Sequence, residues 1–243
     1  MISLWSCRHN DSGSEGQGVA SVNFTFKTSW HDEPFVMQAV YTDAFENRVR
    51  IDRLMNYFSS LKLIKDDGSE VLLKDFMLLD YANENVFTYE IPEGKYSKVK
   101  FDVGIPRDYN KDMDPAQYPS SSALSVAGSQ GMFWSWNTGY IFAKVEGKAD
   151  TTGTEGTELL SPIAIHAGDD SSFREYETSE QIFEVKKGQT HEIVVNIEVD
   201  RLFGFGTTNG IDIAEEAITH TSTNPELATK YMENLMAAIE VIR

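Results

Sequence analysis

Gly131-Met132-Phe133-Trp134-Ser135-Trp136-Asn137-Thr138-Gly139-Tyr140-Ile141-Phe142-Ala143-Lys144-Val145-Glu146-Gly147 is the most informative stretch of the chain. Two of the four tryptophans stand two residues apart in it, between glycines, and an alternating strand pattern follows. Residues two apart on a strand face the same side of a sheet, so the two indoles are expected to project together. Bulk of this kind, set between glycines that let backbone approach closely, points to a site as well as to packing.

Working outward, most segments read as strands. Val22, Phe24 and Phe26 alternate within Val19 to Lys27, the period-two signal of a half-buried strand. Val36 to Tyr41, Asn47 to Ile64, Val71 to Leu73 and Phe76 to Leu79 continue the series, with an Asp67-Gly68 step favouring a tight hairpin. Val86 to Ile91 and Ser97 to Val103 flank the turn Pro92-Glu93-Gly94. Ile163 to His166, Gln181 to Val185 and Glu192 to Val199 read as strands again. From Arg107 to Gln130 the pattern stops, and two prolines, three consecutive serines and several acids make a long surface loop. At Asn224-Pro225-Glu226 the period changes: an N-cap type residue, a proline at the first helical position and an acid in the first turn start a helix. Leu227, Tyr231, Leu235 and Ile239 then fall on one face, which should lie on the sheets. The fold class is therefore all-β, an antiparallel β-sandwich or barrel-like domain with a C-terminal α-helix packed on it. One domain is expected over residues 19–243, after a flexible segment over 1–18.

A formal net charge of −17 over 243 residues disfavours a nucleic-acid partner, because phosphate binding needs clustered Lys and Arg. Cys7 is the one cysteine, so no intrachain disulfide is possible. Leu4-Trp5-Ser6-Cys7 follows the outline of a bacterial lipobox, although Trp5 fits it poorly, and Arg8 to Gly18 is a polar, Gly/Ser-rich tether. Only three residues precede Leu4, so the chain is expected either to start inside a longer signal peptide or to have had its signal trimmed away. Cys7 is thus the expected lipid anchor of a periplasmic or cell-surface protein held on a bacterial (outer) membrane. The alternative is an ordinary polar terminus that happens to contain a cysteine.

The tryptophan run also resembles the signature of the MbnP-like copper-binding protein family, in which a W-x-W-x-x-G-Y segment leads into a strand ending Glu-Gly. The resemblance extends in order along the chain from Val22. Leu54-Met55-Asn56-Tyr57-Phe58-Ser59-Ser60-Leu61-Lys62-Leu63 is similar to a family strand, with Ser60 where the family pattern has Asn. Gly94-Lys95-Tyr96 with Phe101-Asp102-Val103-Gly104-Ile105-Pro106 resembles its hairpin, Ile165-His166-Ala167-Gly168 its "yHiG" element, and His220-Thr221 with Ala228 and Asn234 its closing helix.

The resemblance implies a copper ion, Cu(I), as cargo. Copper(I) prefers soft or borderline ligands such as imidazole, thiolate and thioether. With Cys7 assigned to the anchor, histidine is the main donor. Of the five histidines, His9 lies in the tether and His31 beside acids in a turn, both expected in solvent. His191 opens a strand and is expected at the surface. His166 and His220 match the family elements and are the implied ligands. Without the resemblance, each reads more simply as a satisfied polar residue at the end of a strand or helix. In relatives a tryptophan oxidised to kynurenine joins two histidines, and a dihaem peroxidase-like partner is associated with that maturation. Here the corresponding residue is Trp134 or Trp136, with Trp136 favoured by the adjacent Asn137 and Gly139.

Other motifs are weaker. Asp108, Asn110, Asp112 and Asp114 alternate as in an EF-hand, but the loop lacks its glycine and has Pro119 where the bidentate Glu belongs. No Gly-x-Ser-x-Gly elbow is present and nothing demands an enzyme. Two rivals remain: a surface lipoprotein that binds glycan or peptide on an exposed Trp pair, and an assembly component whose indoles are only core.

Overall fold

The computed structural model describes residues 18–111, 113–134, 139–154, 156, 158–206 and 208–243. Cys7, His9, the tether to residue 17 and Trp136 with Asn137 lie outside the described residues. In chain order the strands begin with β1 (Val19–Trp30), β2 (Glu33–Pro34), β3 (Val40–Thr42), β4 (Arg48–Lys65) and β5 (Glu70–Asp80). Then come β6 (Asn85–Pro92), β7 (Gly94–Val103), β8 (Phe133–Trp134), β9 (Gly139–Asp150) and β10 (Ser161–Gly168). The series closes with β11 (Arg174–Glu177), β12 (Phe183–Val185), β13 (Thr190–Glu198), β14 (Ile218–His220) and β15 (Ile239–Ile242). Two α-helices are described, the single turn α1 (Arg107–Asn110) and α2 (Pro225–Ala238).

Two sheets face one another. In the first, β13 lies between β15 and β1, and β6 and β2 share the far edge of β1. The second is built around β4, whose N-terminal half pairs with β3 and β9 and whose C-terminal half pairs with β5 and β7. Beyond β9 it continues through β10 to β14, and beyond β7 to β11 and β12. The sheets are mixed: β1 runs parallel to β13, and β10 runs parallel to β14. Parallel neighbours need a long crossover connection. The first pair obtains it from residues 31–189, the second from residues 169–217.

Alternation places one side of each strand in the core. Val22, Phe24 and Phe26 of β1 and Ile193, Val195 and Ile197 of β13 meet Phe58, Leu61 and Leu63 of β4, Val145 of β9 and Ile165 of β10. Full burial of such a side chain stabilises by about 1.5–3 kcal/mol. The opposite face of the second sheet has a smaller core of its own, in which Met55, Tyr57, Tyr140 and Phe142 pack with Leu124, Met132 and Trp134. The long loop after β7 thus folds back over the sheet. Tyr57 and Tyr140 fix it by donating their hydroxyls to the carbonyls of Ala123 (2.9 Å) and Leu124 (2.5 Å).

Helix α2 starts as expected: Asn224 accepts from the N–H of Leu227 at 3.1 Å, and Pro225 occupies the first helical position. Leu227, Tyr231 and Leu235 are buried. Ile239 departs from the expectation. It leaves the helix and pairs with Ile197 as the first residue of β15, because Ile-Glu-Val-Ile is a β-branched alternating run beside the open edge of β13. β3 is likewise shorter than the expected Val36 to Tyr41, since Gln38 has φ of 65° and breaks the extended run.

Candidate metal centre

The site is a row of side chains running across four strands. Met55 of β4 pairs with Lys144 of β9, Lys144 with His166 of β10, and His166 with His220 of β14. On β9, Ala143 and Val145 point into the main core, so Lys144 and Glu146 share the opposite face. His166 lies on that face too, between the core residues Ile165 and Ala167. The room beside the imidazole therefore comes from Gly168 and Ala164, not from Ala167.

His166 and His220 meet. Their ring centroids are 4.8 Å apart with planes at 76°. His166 is only 8% exposed, and its Nε2 lies 2.8 Å from Glu146 Oε1. An ionised carboxylate can only accept, so Nε2 carries the proton and Nδ1 carries the lone pair. Glu146 is held in turn by Lys144 Nζ at 3.6 Å and Arg53 Nη1 at 3.9 Å. Burial, with the Lys144 charge assisting it, pushes the His166 imidazole down to about 4, against the opposing pull of Glu146. Burial also lowers the Lys144 ammonium. At neutral pH the imidazole is uncharged, which is the form that binds metals.

Thr221 locks the two strands together just past their paired residues. Its Oγ1 donates to the His166 carbonyl at 3.1 Å and accepts from the Gly168 N–H at 2.8 Å. Its φ of 58° turns the chain there. Glu146, Lys144 and Thr221 had no role assigned from sequence. The alternation of Lys144 and Glu146 about Val145 was the available signal for the first two.

Trp134 belongs to β8, is 2% exposed and packs in the smaller core. A Cβ built at Gly168 would stand 2.7 Å from its Cη2 and Cζ3 atoms, so the six-membered ring rests on the residue two beyond His166. Its Nε1 is buried and has no partner among the described residues. An exposed platform is thus not what Trp134 provides, which removes half of the stacking pair required for glycan or peptide binding. Trp136 lies outside the described residues.

The remaining histidines divide. His31 sits in the two-residue turn between Trp30 and Glu33, half exposed, 3.3 Å from Asp200. His191 is not a plain surface residue: it stacks on Phe183 at 4.3 Å and 12°, with Nε2 buried. The EF-hand-like alternation is not a calcium loop, since Asn110 is buried and its Oδ1 accepts from the Tyr140 N–H at 2.8 Å. Among the described residues no three His, Cys, Asp or Glu side chains form a ready-made metal cage. Two imidazoles side by side fit a soft or borderline ion of low coordination number; they do not fit an ion that needs many oxygens.

The fold and site define a two-sheet β protein with a buried, carboxylate-oriented histidine pair on its second sheet. The family model described as MbnP matches residues 19–224, and the chain belongs to the MbnP family. It is also similar in structure to MbnP from Methylosinus trichosporium, with a TM-score of 0.50 and 14% identity over 76% of this chain and 78% of that one. At that identity the likeness concerns the fold. No curated protein is matched.

Proposed function

We propose that the chain binds copper as Cu(I) between His166 and His220, for acquisition, storage or handover and without a catalytic role. The observation that carries this reading is the meeting of two imidazoles from distant segments, with ring centroids 4.8 Å apart. Membership of a copper-associated family supports it. Glu146 fixes the tautomer of His166, the arrangement that raises ligand basicity in carboxylate–histidine–metal triads. A third donor would come from Trp134 or Trp136. In the family's manner it would be a kynurenine, whose aromatic amine and ketone replace an indole that can only donate, made with a dihaem peroxidase-like partner. Cys7 would carry the lipid that holds the protein in the periplasm or at the cell surface.

Anaerobic titration against a chromophoric Cu(I) chelator tests the metal site. One equivalent is expected in the wild type, with large losses in His166→Ala and His220→Ala. Equal affinity in all three proteins would rule the pair out. Mass spectrometry of the protein from its native host reads the Cys7 lipid and any oxidation of the Trp134–Trp136 peptide.

A further inference from the structure

The charges around the histidine pair are unequal. Lys144 stands directly opposite His166 in the pairing of β9 with β10, and it is only 5% exposed. A lysine is almost never buried this deeply unless it is paired. Its partner is Glu146, whose Oε1 lies 3.6 Å from Lys144 Nζ and 2.8 Å from His166 Nε2. Ammonium, carboxylate and imidazole therefore meet at a single oxygen. Arg53 approaches the other oxygen of the same carboxylate at 3.9 Å. Two cations thus face one anion. Among the described residues no second carboxylate acts electrostatically on His166 or on Lys144.

The two cations differ in depth. Arg53 is half exposed, so solvent and salt screen its charge. Lys144 is sealed in the sheet face, and its charge is felt at the imidazole. Orienting Glu146 does not require that charge, because a neutral donor in the place of Nζ would hold the carboxylate too. Burying an ammonium costs several kilocalories in desolvation. What it adds over a neutral donor is a fixed positive field beside the ring pair.

We propose that Lys144 is a specificity-determining residue of the metal centre, whose buried charge favours a monovalent soft ion over divalent competitors such as Zn(II). The inference rests on metal binding at His166 and His220 and says how that site chooses. Imidazole alone does not choose, since it suits zinc as well as copper. A fixed positive charge repels a dication twice as strongly as a monocation. At an effective dielectric near 20 and a separation of about 8 Å, the extra repulsion is worth about 30-fold in affinity.

Anaerobic competition titrations with Cu(I) and, separately, with Zn(II) test this, each ion against a chromophoric chelator of known affinity. The readout is the ratio of the two affinities, from which any effect common to both ions cancels. Lys144→Met should shift the ratio toward Zn(II) by about tenfold or more. Lys144→Gln, which keeps a neutral donor for Glu146, should do the same, and it decides the matter where circular dichroism shows that Lys144→Met does not fold. Glu146→Gln should shift the ratio the opposite way, toward Cu(I), although it weakens both ions. A ratio unmoved by the loss of the lysine charge overturns the proposal, and Lys144 then only holds Glu146 in place. No Cu(I) uptake by the wild type overturns the copper reading and this inference with it, an outcome distinct from an unmoved ratio.

Discussion

The carboxylate of Glu146 stands 2.8 Å from Nε2 of His166, and these two residues occupy adjacent strands whose core-facing neighbours are apolar. The contact sets the tautomer, because a carboxylate cannot donate. Glu146→Gln can donate as well as accept, and it releases the constraint. We expect Cu(I) affinity to fall by about 10–100-fold with both imidazoles still in place. A competition titration of Glu146→Gln and Glu146→Asp against the wild type checks this. A purely structural role would alter melting and leave affinity untouched.

Much of this arrangement was legible in the chain. The alternation in β1 and in much of β13 is plain, because one face is buried more completely than the other; β4 and β9 read as longer apolar runs where both of their faces are covered. Asn224-Pro225 marks the helix start through local capping chemistry. What sequence could not supply was tertiary. β14 is three residues long, so Ile218-Thr219-His220 offers no period to read. Its parallel pairing with β10, which brings His220 to His166, depends on the long crossover between them. β15 follows α2 without a break, and Ile239 fits the helical period as well as the strand's. Glu146 stood in view as part of a strand ending Glu-Gly, but its role appears only once β10 lies alongside.

The copper-free protein should show the low proton affinity of His166 directly. Its imidazole is held at about 4 in the folded state, by burial first and the Lys144 charge second, against about 6.5 in an unfolded chain. Between those values the unfolded state binds more protons, so stability rises with pH across the window. The contribution is complete above about pH 6.5 and is lost as pH falls toward 4. NMR titration should find the His166 imidazole protonating only near pH 4, and Lys144→Met should raise its pKa. An imidazole titrating in the ordinary range would contradict the burial argument.

Ser60 holds a backbone conformation that few L residues favour. It has φ of 53° inside β4, where the register with β7 slips between Ser59 and Lys62. The left-handed region disfavours most L residues but is several-fold enriched in Asn. Ser60→Asn is expected to stabilise the protein by up to about 1 kcal/mol. Ser60→Val, β-branched, should destabilise it. Chemical denaturation reads both.

Gly168 is required by what lies against it. A Cβ there would come within 2.5 Å of the Tyr140 carbonyl oxygen and 2.7 Å of two ring carbons of Trp134. The first clash is with backbone hydrogen-bonded into the sheet, and the second with an indole walled in by Met55, Tyr140 and Phe142. Neither can yield like the end of a flexible side chain. Overpacking of this kind costs about 1–3 kcal/mol. Gly168→Ala should therefore lower the denaturation midpoint by that amount and shift the near-ultraviolet dichroism and emission of Trp134. Because Gly168 also donates to Thr221, which holds the His166 carbonyl, the same substitution should weaken Cu(I) binding although it touches neither imidazole. Trp134→Phe is the control, since it removes the outer part of the indole that the new methyl group would strike. The double variant Gly168→Ala/Trp134→Phe should recover part of the lost stability, whereas simple additivity of the two losses would show that the indole does not rest on Gly168.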